Sequence, residues 1–134
     1  MKVTTKYVRV LFCLSVLSWA VCGLSAAEID PGVWKQTSST AGDCADCTIA
    51  VERVTSHIMH LEASNGWVGF AYYDADNDAY HGFFELTKMT DGTPANWVDR
   101  VFMIELVMER MTLNIVGESG DITFSATYRK KQGR

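Results

Sequence analysis

An all-β protein is the fold class this sequence predicts, specifically a small antiparallel up-and-down β-barrel of about eight strands. Three observations point to it. Near the C-terminal end Met111, Leu113 and Ile115 alternate with Thr112 and Asn114, and Ile122, Phe124, Ala126 and Tyr128 alternate with Thr123, Ser125, Thr127 and Arg129. Strict period two over such lengths marks half-buried strands, one face in a core and the other in water. The segments upstream are rich in aromatic and β-branched residues, which fit a pleated surface. Turn-forming clusters such as Asn65-Gly66, Asp74-Ala75-Asp76-Asn77-Asp78 and Gly117-Glu118-Ser119-Gly120 separate them at short intervals.

Taken in order, the chain opens with Lys2, Lys6 and Arg9, an apolar run from Val10 to Val21, and the small residues Ser25-Ala26-Ala27. Basic, apolar and small-residue regions in that order predict a secretory signal peptide over 1–27, with an apolar run too short to span a bilayer. Cleavage after Ala27 would place the mature domain at 28–129, followed by a basic flexible tail at 130–134, in the periplasm or outside the cell. A first strand is expected at 32–38. Two more are expected at 48–54 and 57–63, turned by Asn65-Gly66 into a fourth at 67–73. The acidic turn then leads to a fifth at 79–87, a sixth spans 97–107 with Val98, Phe102, Ile104 and Leu106 on one face, and the two alternating runs complete the set. An alternative is α+β: Val51, Val54, Ile58 and Leu61 also fall at helical spacing, which would put a helix near 48–63 against an antiparallel sheet. Thr48, Ile49, Val51, Val54, Thr55 and Ile58 are β-branched and favour strands. Eight strands can close into a barrel with no free edges.

Composition narrows the function. After Ala27 there remain 107 residues with nine basic against 16 acidic side chains, a formal charge of −7, and four of those basic residues lie between Arg129 and Arg134. A body this acidic is a poor partner for nucleic acid or an anionic membrane surface. No second apolar stretch is long enough to span a membrane.

Cysteine use gives the sharpest local feature. Removal of 1–27 leaves Cys44 and Cys47 as the only cysteines, in Cys44-Ala45-Asp46-Cys47. In an exported protein, two cysteines at this spacing predict a short disulfide that staples the loop after the first strand. A second reading uses them as thiolates with His57 and His60, the donor set of a copper or zinc site, although on a strand His57 and His60 point to opposite faces. The thioredoxin-like βαβ unit that redox catalysis would need is absent from the pattern. A separate cation reading comes from Asp74, Asp76, Asp78 and Glu85, which occupy positions 1, 3, 5 and 12 of a calcium loop, but Ala79 stands where that loop wants glycine. No cofactor is expected beyond such a metal ion. No nucleophile–base–orienter set is visible either, so an enzyme is not expected.

Gly32-Val33-Trp34, a G-x-W on the first strand, together with Arg129 at the end of the last, resembles the lipocalin-like, or calycin, barrels. The resemblance implies that Trp34 closes one barrel end with Arg129 packed over it, and that a small apolar molecule binds at the barrel mouth. The aromatic candidates for that contact are Trp34, Trp67, Tyr72 and Trp97. Cys-Ala-Asp-Cys is also similar to a motif in a family of periplasmic copper-homeostasis and surface-sensing lipoproteins, which implies the metal-binding or stress-sensing alternative. A third alternative is a protein-interaction or inhibitor module acting on an envelope protein.

Overall fold

The computed structural model describes residues 28–42, 44–87, 90 and 93–133, so the expected signal peptide over 1–27 lies outside the described residues. Eight strands form: β1 (Gly32–Ser39), β2 (Thr48–Arg53), β3 (Ile58–Ala63), β4 (Trp67–Asp74), β5 (Ala79–Leu86), β6 (Val101–Glu109), β7 (Thr112–Ser119) and β8 (Ile122–Lys130). Each pairs antiparallel with the next, and β8 returns to β1 to close the barrel. The segment 48–63 is therefore two strands and not a helix, as its β-branched residues favoured.

The alternation read from the sequence becomes the inside and outside of the wall. Ile49 and Val51, Met59 and Leu61, Phe102, Ile104 and Leu106, and Leu113 and Ile115 point inward and are buried. Together with Trp34, Phe84 and Tyr128 they make one continuous core. Burying side chains of this size contributes roughly 1.5–3 kcal/mol each.

Several expected bounds move, among them that of β7, which continues through Ser119 to a turn at Gly120-Asp121. The sixth strand begins at Val101 and not at Trp97, because Pro94 leads into a single 3-10 turn over Ala95–Trp97 and Asp99 adopts a left-handed backbone (φ 59°) that breaks the extended chain. The last strand runs through Lys130, taking that residue out of the expected tail.

β4 and β5 approach more closely than side chains would allow. A Cβ on Gly69 would lie 1.9 Å from the Phe83 carbonyl oxygen, and one on Gly82 would lie 1.8 Å from that of Phe70. Glycine at these two inward positions lets the paired strands bend sharply, as a small barrel requires of its corners.

The strands define two ends. One end gathers the N-terminal residues, the 54–57, 75–78 and 110–111 turns and the end of β8. The other gathers the Cys44–Cys47 disulfide, the 64–66 turn, the described residues between β5 and β6, and the 120–121 turn. The first end is shut. Ile29 is fully buried beneath it, and the Trp34 indole N–H donates to the Asp30 carbonyl at 3.1 Å. Lys130 Nζ stands 6.0 Å from the Trp34 ring centre and 3.2 Å from Asp30, while Arg53 pairs with Glu28. The basic residue over Trp34 is thus Lys130 and not the expected Arg129. Register explains the difference: Trp34 pairs with Lys130, whereas Arg129 is opposite Lys35 and faces solvent.

Candidate functional site at the barrel mouth

The second end is built differently. Trp67 at the start of β4, Phe102 at the start of β6 and Phe124 near the start of β8 point inward at the same level, and the 3-10 turn drops Trp97 between them. Trp97 lies 6.0 Å from Trp67, 5.0 Å from Phe102 and 5.9 Å from Phe124, centre to centre, and Trp67 meets Phe102 edge-on at 5.4 Å. Tilted and edge-to-face contacts of this kind stabilise the cluster beyond the area they bury. The space that continues inward beside its rings, lined also by Phe84, Ala126 and Tyr128, is about 40 Å³, too small for an organic ligand.

Above the rings lies a vestibule of about 430 Å³. Its walls include Gln36, Ser39, Ala41, Asn65, Trp67 and Trp97. The volume falls within the range of small-molecule sites, and the composition matches one, with an aromatic floor and a few amide and hydroxyl groups around it. Several of those groups are already held. Tyr128 donates its hydroxyl to Gln36 Oε1 at 3.4 Å, Ser39 Oγ accepts from the Ala41 amide at 3.0 Å, and Thr90 donates to the Asn65 carbonyl at 3.3 Å. Burial pushes the Tyr128 phenol up to about 12, so it is a neutral donor at any ordinary pH. Among the described lining residues the charged one is Asp46, whose carboxylate points away into solvent and pairs with Lys35 at 3.5 Å.

Cys44 and Cys47 are joined as a disulfide on this rim. It ties the loop between β1 and β2, whose end is also held by the bond from the Gln36 amide to the Cys47 carbonyl at 2.9 Å.

The aromatic candidates separate. Trp67 and Trp97 form the floor. Trp34 does not belong to the mouth, since it closes the opposite end. Tyr72 is on the outer wall and 57% exposed. Parity decides this: β4 turns Trp67, Gly69, Ala71 and Tyr73 inward, so an even-numbered neighbour faces solvent. Phe124, Gln36, Ser39 and Asn65 were not among the candidates. Phe124 carried a signal in its strict alternation, whereas nothing local marks the other three.

The transition-metal set does not come together. Its two sulfurs are bonded to each other, and His60 pairs with Glu52, five residues beyond Cys47 along β2 and so roughly 15 Å away. His57 lies in the exposed turn before β3. The similarity to copper-homeostasis lipoproteins stops at the four residues Cys-Ala-Asp-Cys. The calcium set is divided as well. Asp74 and Ala79 pair across the β4–β5 turn, while Glu85 is six residues further along β5, about 20 Å away. Within the turn two of the three carboxylates already have partners. Asp74 accepts from the Asp76 amide at 3.0 Å and Asn77 Nδ2 at 2.7 Å, and Asp78 accepts from the Tyr73 hydroxyl at 3.0 Å. The bond from Asn77, aided by the backbone amides of Asp76 and Asn77 and working against desolvation, holds the Asp74 carboxyl below its ordinary value. Among the described residues no group of three or more metal-ligating side chains is assembled.

No protein-family model matches the chain, and no curated protein sequence does. Among solved structures the chain is similar to a point mutant of the fluorescent protein UnaG, at 13% sequence identity and a TM-score of 0.46, with 77% of this chain and 96% of that one covered. With so few residues in common, the site rests on this chain's own side chains. The fold is a closed, eight-stranded, antiparallel up-and-down barrel.

Proposed function

We propose that this is an exported, non-enzymatic binding protein that holds a small, uncharged, largely apolar molecule in the vestibule at its open end. One observation carries the reading: the barrel is plugged at the Trp34 end and filled in the middle, yet at the other end the Trp67–Trp97–Phe102–Phe124 cluster floors an open space of about 430 Å³. A ligand there would lie flat on aromatic rings and take hydrogen bonds at its edge from the Asn65 and Gln36 amides. The near absence of charge on the described walls favours a neutral molecule, because a buried charge without a partner is costly. Among the described lining residues there is no histidine, and no serine or threonine hydroxyl is bonded to a base. That supports binding and not catalysis. Export is supported by the leader-like pattern over 1–27 and by the disulfide, which persists in oxidising compartments.

The test is titration of the purified protein with a neutral naphthalene-type fluorophore, following both the probe and quenching of indole emission. One probe per chain is expected, with Ala41→Trp, which fills the vestibule, lowering affinity by about tenfold or more, and Cys44→Ser/Cys47→Ser retaining binding. Equal affinity in Ala41→Trp, or no quenching with the unmodified protein, would overturn the reading.

A further inference from the structure

The outer wall carries a feature that neither the core nor the vestibule requires. Outward positions of a half-buried strand are normally polar, yet on β4, β5 and β6 they include Phe70, Tyr72, Phe83, Val101 and Met103, each between 39% and 60% exposed. The register makes these residues neighbours. Phe70 pairs with Phe83, Phe83 with Met103, and Tyr72 with Ile58 on β3. The Phe70 and Phe83 rings are 6.2 Å apart, and His60 extends the row with its ring 4.9 Å from Phe70. A contiguous exposed apolar stripe on a small soluble domain marks a contact surface.

Charge says what the surface fits. Strands β3 to β7 contain no lysine or arginine, and the same wall presents Glu62, Glu85, Glu105 and Glu118 between and beside the apolar residues. Glu85 is opposite Val101, Glu105 opposite His81 and Glu118 opposite Met103. The strand cations Lys35, Arg53, Arg129 and Lys130 all belong to β1, β2 and β8. Aromatic faces bordered by carboxylates attract lysine and arginine twice, through the ring quadrupole and through the opposite charge. A second copy meeting this wall isologously would set carboxylates against carboxylates, and nucleic acid would be repelled. Barrel closure leaves no edge for an incoming strand, so the partner must engage by side chains alone.

We propose that the outer wall of β4–β6 is a docking surface for a cationic amphipathic segment of another protein, its apolar residues lying on Phe70, Phe83 and Met103 and its lysines or arginines reaching Glu85 and Glu105. The surface lies outside the barrel, so it operates whether or not the vestibule holds a ligand.

The probe is a synthetic 16-residue amphipathic helix, with leucine and phenylalanine on one face and lysine and arginine on the other, added to isotope-labelled protein. Amide shifts are expected on the outward residues of β4–β6. Phe83→Thr/Met103→Thr keeps β propensity at exposed sites, and the affinity of this variant is expected to fall by about tenfold or more. Glu105→Gln is expected to weaken binding several-fold and flatten its salt dependence, with Asp30→Asn, the same charge change at the closed end beside β1 and β8, close to unmodified protein. Shifts centred elsewhere, or equal losses in Glu105→Gln and Asp30→Asn, would overturn the proposal. So would self-association that Phe83→Thr/Met103→Thr abolishes while the peptide fails to bind, an outcome that would assign the stripe to a second copy.

Discussion

At Gly82 a single hydrogen separates a workable corner from a collision. The obstacle there is backbone, the Phe70 carbonyl and the Ala71 Cα, which cannot swing aside. Gly82→Ala should therefore destabilise the protein by about 2–3 kcal/mol, at the upper end of overpacking costs, as read from the midpoint of urea unfolding. A different residue sets the alkaline limit. Burial raises the Tyr128 phenol from 10.0 to about 12, so between those values the unfolded chain has released a proton that the folded chain still holds. Stability from this group is fully present below pH 10 and is lost as pH rises towards 12, in total on the order of 2–3 kcal/mol. Tyr128→Phe should flatten that part of the pH–stability profile and change little at neutral pH, because the bond to Gln36 is long. Urea unfolding across pH 8 to 12 checks both halves of the statement, with tyrosinate absorbance reporting the ionisation.

Elements were legible where one physical preference acted alone. β7 and β8 alternate without interruption and both are strands in the structure, although β7 leaves out the exposed Met111 and runs on through Gly117-Glu118-Ser119, which reads as a turn in the sequence. The 48–63 segment was ambiguous because valine, isoleucine and leucine at three- and four-residue spacing satisfy a helix as well as two short strands; the paired register with β1 and β4 resolves it in favour of strands. The late start of β6 was hidden, since Trp97 and Val98 suit a strand and only Pro94 and the left-handed Asp99 turn them out of it. The mouth was half legible. Its tryptophans are conspicuous, but Gln36, Ser39 and Asn65 become wall residues only through closure, which joins segments about 60 to 90 positions apart. The disulfide was the clearest prediction, and its energetic part is modest. It closes a four-residue ring, so Cys44→Ser/Cys47→Ser should cost about 2 kcal/mol by the loop-length model, measurable as a few degrees in Tm. The barrel should persist, because no strand depends on the bond.

For the whole molecule, closure between β1 and β8 is the step on which everything else waits. That seam contains a register shift between Gln36 and Ser38, and its far end is held by Lys130 over Trp34 and by the Lys131 amide donating to the Val33 carbonyl at 2.9 Å. Truncation after Arg129 removes both and should lower stability by about 1–3 kcal/mol, whereas truncation after Lys131 should change it by less than about 0.5 kcal/mol. Amide exchange would show the same order, with protons flanking the bulge exchanging before those of β4 and β5.

Closure also bears on how the chain avoids fibrils. Val101-Phe102-Met103-Ile104-Glu105-Leu106-Val107-Met108 combines apolar residues with a single charge, the kind of segment that stacks into cross-β aggregates when its backbone is free. In the ring Met103 to Leu106 are paired on both sides and the other four on one, so the exposed Phe83 and Met103 offer side chains and no unpaired amide row for another chain to copy. The protection is collective. Once the β1–β8 seam opens, two edges appear together, and a population that is harmless while folded becomes one whose aggregation rate follows the frequency of that single opening.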